Sequence, residues 1–233
     1  MLGGDGADDE AALAKTFAKL REDSFGELDI HGAAFCGSDA THGKAMLKFG
    51  RVFANLDPEF RPWMGGLRGE FVRINTDQNP ITVDRFTPPP NTQSYGFTVD
   101  PDGNPWFAGC GGPVSTYNTD TMQYTAIAGT NACYRGIAAD ENYVWAASNG
   151  PCGLAQIDRK TNTLIQIHNT NPCSTAIGVS IDAEKFVWLV DQEGWAWKID
   201  PENVPAMKQV MVPGSHYVYS DMTGGQLNSI LPQ

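Results

Sequence analysis

Short stretches of the chain alternate strictly between apolar and polar positions: FVRIN at 71–75, TLIQIHN at 163–169 and WAWKID at 195–200. A period of two residues is that of a half-buried β-strand, and helical periodicity is almost absent from the same region. The strand-like runs recur in a fixed order. Trp63, Trp106, Trp145 and Trp188 follow one another at intervals of about 40 residues, the spacing of a repeat architecture. Each lies in a short apolar run, and each is followed by an Ile or Tyr next to Asn75, Asn118, Asp158 or Asp200. Aligned on these markers, LDPEFRPWMGGLRGEFVRINTD parallels VDPDGNPWFAGCGGPVSTYNTD, and AADENYVWAASNGPCGLAQIDRK and SIDAEKFVWLVDQEGWAWKIDPE follow in the same phase.

The unit reads as a strand ending near Asp100 or Asp140, a polar turn, a strand through the Trp, a Gly-rich turn, a strand ending at Asn118 or Asp158, and a fourth strand. Four-stranded units of this length stacked about an axis predict an all-β fold, a β-propeller of antiparallel blades. Inner strands starting near Arg51, Tyr95, Tyr134, Ala176 and Tyr217 give four full repeats and the start of a fifth. Two solutions follow. In one, 216–221, 226–230 and 28–36 complete a fifth blade that joins both ends of the chain; in the other, the chain is an incomplete larger propeller. The expected division is a propeller over 28–233 preceded by an extension over 1–27. Within that extension, DDEAALAKTFAKLR at 8–21 carries leading acids, trailing bases and an apolar stripe, the pattern of a short helix.

The repeat gives the cysteines a phase. Cys110 and Cys152 follow the Trp-bearing second strand, whereas Cys133 and Cys173 stand at the entry to the next inner strand. In an up-and-down unit these two connections leave on one face, so Cys110 is expected to pair with Cys133 and Cys152 with Cys173, each bridge joining neighbouring blades. The third such turn, 190–194, lacks a Cys, and so does the inner strand that follows it. The alternative is four thiols with coincidental phasing. Cys36 is left over. Two disulfides imply an extracellular, periplasmic or cell-surface location; the first residues, MLGGDGADDEAALAKTF, have acids where an export signal carries bases.

Composition narrows the partners. With 16 Lys+Arg against 27 Asp+Glu the formal net charge is −11, which offers no basic stripe for a nucleic-acid backbone. No apolar run is long enough to span a bilayer as a helix. The 25 Gly and 15 Pro suit repeated turns. No metal or cofactor is expected. His31, His42, His168 and His216 lack HxH or HExxH spacing, no CxxCH is present, and GCGGP and MGGLRG lack the Lys of a phosphate loop. DPDGN at 100–104 imitates the start of a calcium loop but lacks its later ligands, and reads as a hairpin turn.

Asp100, Asp140, Asp182 and Asp221 end equivalent inner strands. A funnel of carboxylates is one use of such a set, and capping of local backbone N–H groups is the simpler one. The Trp residues read as wedges in the blade cores. Tyr95, Tyr134, Tyr217 and Tyr219, with His216, are the expected contact surface at the mouth, because a phenol joins apolar area to a polar tip.

The segments SYGFTVDPDGNPWFAG and GIAADENYVWAA and the later IDP turn resemble the streptogramin B lyase-like and related bacterial NHL-type propeller repeats, over 51–221. The resemblance implies four-stranded blades, usually six or seven, in proteins that are sometimes exported and anchored to a bacterial surface. The family's lyase is a magnesium-dependent enzyme that opens a cyclic depsipeptide antibiotic by elimination, using a His and a nearby Glu-x-His pair. This chain has no Glu-x-His, and Phe107-Ala108 and Leu189-Val190 follow two of the Trp residues, so no catalytic residue transfers. The expected function is therefore a non-enzymatic binding or assembly module for a protein, peptide or glycan. The alternative is a metal-dependent lyase or hydrolase of the same type, with His216, Asp221 and the funnel carboxylates at its site.

Overall fold

A computed structural model describes residues 53–66 and 70–215. They form sixteen strands in four antiparallel sheets, each a meander whose strands pair in chain order. The first sheet holds β1 (Phe53–Leu56), β2 (Pro62–Gly65), β3 (Phe71–Asn75) and β4 (Thr82–Phe86). The second holds β5 (Gly96–Val99), β6 (Pro105–Ala108), β7 (Ser115–Asn118) and β8 (Gln123–Ala126). The third comprises β9 (Tyr134–Ala139), β10 (Tyr143–Asn149), β11 (Cys152–Asp158) and β12 (Thr163–Asn169). The fourth comprises β13 (Ala176–Ile181), β14 (Val187–Asp191), β15 (Trp195–Ile199) and β16 (Lys208–Met211). Burial falls along each unit from the inner strand to the outer one: β5 and β9 are almost wholly buried, whereas every residue of β16 is exposed.

The inner strands β1, β5, β9 and β13 lie side by side in that order, which is the radial stacking of propeller blades. The four described sheets do not close into a ring. The expected fifth blade, the helix at 8–21 and Cys36 all lie outside the described residues. No helix among the described residues is long and apolar enough to cross a membrane.

The core lies between sheets, not within them. Trp63 and Phe71 of the first sheet pack on Phe97 and Phe107 of the second. Trp106 of the second packs with Ile137, Val144 and Ala146 of the third. Trp145 and Leu154 of the third pack with Val179 and Leu189 of the fourth. Trp63, Trp106 and Trp145 are fully buried, the wedge position expected of them. Inner strands come close enough to constrain side-chain size: a Cβ on Gly96 of β5 would collide with the backbone carbonyl oxygen of Arg135 on β9.

Candidate functional site

The four turns between first and second strands are built on one device. Asp57, Asp100, Asp140 and Asp182 each accept two backbone N–H bonds from their own turn on Oδ1. Each also accepts the indole Nε1–H of its sheet's Trp on Oδ2, at 3.1, 2.9, 2.7 and 2.8 Å respectively. A carboxylate thus folds the turn with one oxygen and fixes the core Trp with the other. The three turns with the longer Asp-to-Trp interval need a left-handed residue, filled by Phe60, Gly103 and Lys185 at φ +59°, +81° and +70°. The turn after Asp140 is one residue shorter and has none. DPDGN is therefore a hairpin turn, and Asp100, Asp140 and Asp182 each cap backbone N–H groups of their own turn, the simpler of the two uses. Asp221 lies outside the described residues.

The second marker series caps the turns between third and fourth strands. Asn118 Oδ1 accepts from Asp120 N and Thr121 N, Asp158 Oδ1 from Lys160 N and Thr161 N, and Asp200 Oδ1 from Glu202 N. Both series lie at one end of the sheets. One cation ties neighbouring turns there: the buried Arg159 pairs with Asp100 at 3.5 Å and with Asp102, and donates to Glu141 O at 2.9 Å.

The opposite end carries the cysteines. Cys110 is bonded to Cys133 and Cys152 to Cys173, with Cα atoms 3.8 and 5.9 Å apart. These are the two expected pairs, and each joins one sheet to the inner-strand entry of the next. Tyr95 stands at the entry to β5, half-buried, with the Arg135 guanidinium 5.8 Å from its ring centroid. The Nε of Arg135 is buried and has no hydrogen-bond partner among the described residues.

Tyr134 departs from expectation. It opens β9, but its side chain is 0% exposed and packs with Trp106, Val114 and Ile127 between the second and third sheets. It is a core residue and presents no contact surface; burial pushes its phenol up. The first position of a strand faces either the mouth or a neighbouring sheet according to the pleat, which composition alone does not reveal. His216, Tyr217 and Tyr219 lie outside the described residues. His168, on the outer strand β12, is half-buried; its Nε2 is 2.8 Å from Gln156 Oε1, and burial lowers its pKa.

Sequence reasoning missed Asp191. It ends β14 at the cysteine rim, is 0% exposed, and lies 3.6 Å from Cys173 Sγ. Its Oδ2 accepts from Ser174 N and Thr175 N at 3.0 and 2.7 Å, and its Oδ1 from Glu193 N at 2.7 Å. A signal was present: three residues after each marker Trp stand Gly66, Gly109, Ser148 and Asp191, three small residues and one acid.

No family model matches this sequence, and a search among curated proteins found no match either. Solved structures do match in fold. Virginiamycin B lyase from Staphylococcus aureus aligns with a TM-score of 0.59 at 16% identity, over 70% of this chain and 56% of that one. Hydrazine synthase from Kuenenia stuttgartiensis aligns at 0.54 and 12%, over 69% and 53%. The extracellular domain of a putative one component system from B. thetaiotaomicron aligns at 0.50 and 16%, over 70% and 25%. The chain thus spans about half or less of the structures it resembles. At this identity the likeness concerns architecture: the chain has a propeller-type fold of four-stranded antiparallel sheets.

Proposed function

We propose that the chain is a non-enzymatic binding or assembly module of an extracellular or cell-envelope compartment, engaging a protein, peptide or glycan at the cysteine rim. The observation that carries this reading is the Tyr95–Arg135 pair. A half-buried aromatic ring lies beside the guanidinium of the half-buried Arg135, so the pair joins stacking area to a cation suited to a carbonyl, carboxylate or sugar hydroxyl. The repeated acids support it from the other side, because each is already engaged in folding a turn and holding a Trp. The oxidising compartment takes its support from the two inter-sheet bridges. Tyr217, Tyr219 and His216 are proposed to extend the same surface.

The test is a screen of immobilised peptides and glycans against the full chain, repeated with Tyr95→Ala and Arg135→Gln. A ligand lost from both variants while their melting temperatures stay close to that of the parent supports the reading. Binding that survives both substitutions, or Mg²⁺-dependent opening of a cyclic depsipeptide ester by the parent chain, contradicts it. The second outcome would favour the metal-dependent lyase or hydrolase.

A further inference from the structure

We infer that Cys152, Cys173 and Asp191 form a redox-gated site for a soft divalent cation such as Zn²⁺, closed while the disulfide is intact and opened by a dithiol reductant. The two Sγ atoms and a carboxylate oxygen of Asp191 all lie within 4.8 Å of one another. Two thiolates and one carboxylate are a donor set suited to zinc, with a fourth position left to water.

Asp191 is the observation that points to a cation. Its carboxylate is 0% exposed, its hydrogen bonds come from the backbone N–H groups of Ser174, Thr175 and Glu193, and its Oδ2 lies 3.6 Å from the disulfide-bonded Sγ of Cys173. No Lys, Arg or His among the described residues forms an ion pair with it. Buried charges are ordinarily paired or coordinate a metal. Three backbone donors orient the carboxylate toward Cys173 and hold it there, in the manner of the outer-shell bonds that fix metal ligands.

The first bridge supplies an internal contrast. The β-ladder pairs Ala176 with Asp191 in the fourth sheet and Tyr134 with Ser148 in the third, so the rung that carries the acid in the fourth sheet carries a serine in the third. The group approaching Cys133 Sγ is the amide of Asn149, at 3.8 Å. The Cα atoms of Cys152 and Cys173 are also further apart than those of Cys110 and Cys133, at 5.9 against 3.8 Å. Zinc–thiolate bonds of about 2.3 Å in tetrahedral geometry require sulfurs about 3.8 Å apart, which the wider backbone pair reaches by side-chain rotation.

The chemistry balances in two steps. A dithiol reduces the bridge: the S–S bond breaks, each cysteine sulfur gains a proton and an electron, and the reductant leaves as its own disulfide. The cation then replaces both thiol protons, which pass to solvent, and the Asp191 carboxylate completes the protein ligands.

The test uses the full chain, reduced anaerobically with a phosphine so that no competing thiol remains, and Co²⁺ as the probe. In a Cys36→Ser/Cys110→Ser/Cys133→Ser background, the reduced protein should take up one Co²⁺ and show a thiolate-to-cobalt charge-transfer band with tetrahedral d–d bands, displaced by Zn²⁺. The oxidised protein should show neither. Asp191→Asn should weaken uptake by more than about tenfold, since even outer-shell partners act on that scale, while retaining the β-sheet circular dichroism of the parent. The proposal is overturned if the reduced chain shows no cobalt bands, whether it stays folded or not. Equal uptake by the oxidised chain, or undiminished uptake by Asp191→Asn, overturns it as well.

Discussion

A carboxylate that accepts on both oxygens does two jobs, and substitution at such a position separates them. Asp100 is 2% exposed; it caps its turn through Asp102 N and Asn104 N, holds Trp106 Nε1, and lies 3.5 Å from Arg159. Asp100→Ala leaves a buried indole N–H without its acceptor and removes both caps, so it should cost about 2–4 kcal/mol in urea unfolding. Asp100→Asn keeps an acceptor for the turn but presents an amide N–H₂ to the indole donor, and should lose about half as much. Equal losses would mean that the turn caps contribute nothing, and no loss in Asp100→Asn that the indole bond contributes nothing. The acids also set the response to pH. Burial raises the pKa of Asp182, but hydrogen bonds from Trp188 and Phe186 and the charge of Lys198 outweigh it and hold the group below 3.8. Bonds from Thr161 lower Asp158 in the same direction. Their stabilisation is complete above pH 3.8 and is lost as pH falls through the depressed folded values. His168 acts earlier: burial lowers its pKa below 6.5, so the unfolded chain binds its proton first. Stability should therefore start to decline as pH drops through 6.5, before the carboxylates contribute. Thermal melts of His168→Gln from pH 8 to pH 5 should lack this first decline.

At the scale of strands and turns, most of the architecture was legible because its period is long and its punctuation chemical. An Asp before a turn and a Trp beyond it mark the first hairpin of every sheet, and Asn or Asp marks the last. Partners distant in sequence were not legible. Arg159 sits 57 residues from Asp102, and nothing local in DRKTN announces that its guanidinium reaches the neighbouring sheet. Tyr134 was misplaced for a related reason, since the face shown by a strand's first residue depends on the sheet packed against it. The same inter-sheet contacts yield a prediction at Gly96. A Cβ there meets the backbone of β9, so Gly96→Ala must push two inner strands apart; it should cost about 3 kcal/mol, at the upper end of overpacking penalties. Gly103→Ala has open space, its nearest neighbour being Pro58 Cδ at 3.9 Å, and carries only the strain of φ +81°, about 1 kcal/mol. Chemical denaturation of the two variants ranks steric approach above backbone conformation if this order holds, and reversal of the order would refute it.

For the molecule as a whole, the stacking rule is directional, and its last member exposes what the rule requires. Trp63 is covered by the second sheet, Trp106 by the third and Trp145 by the fourth. Among the described residues no sheet follows the fourth, and Trp188, held by Asp182 as its counterparts are by theirs, is half-buried. Its ring is attended by Lys198, whose Nζ lies 5.6 Å from the centroid and 4.0 Å from that of Phe186. A flexible lysine over two aromatic rings shields them from water without excluding a small solute. The indoles should consequently separate by solvent access. Acrylamide quenching of the parent chain should resolve an accessible fraction that shrinks in Trp188→Phe. Trp106→Phe should not shrink that fraction while lowering stability, because it removes a buried ring edge and leaves the second oxygen of Asp100 with Arg159 but without its indole donor. Quenching unaltered by Trp188→Phe would place a covering surface over the fourth sheet equal to the one each earlier Trp receives from its neighbour, and the directional rule would then run through it without a break.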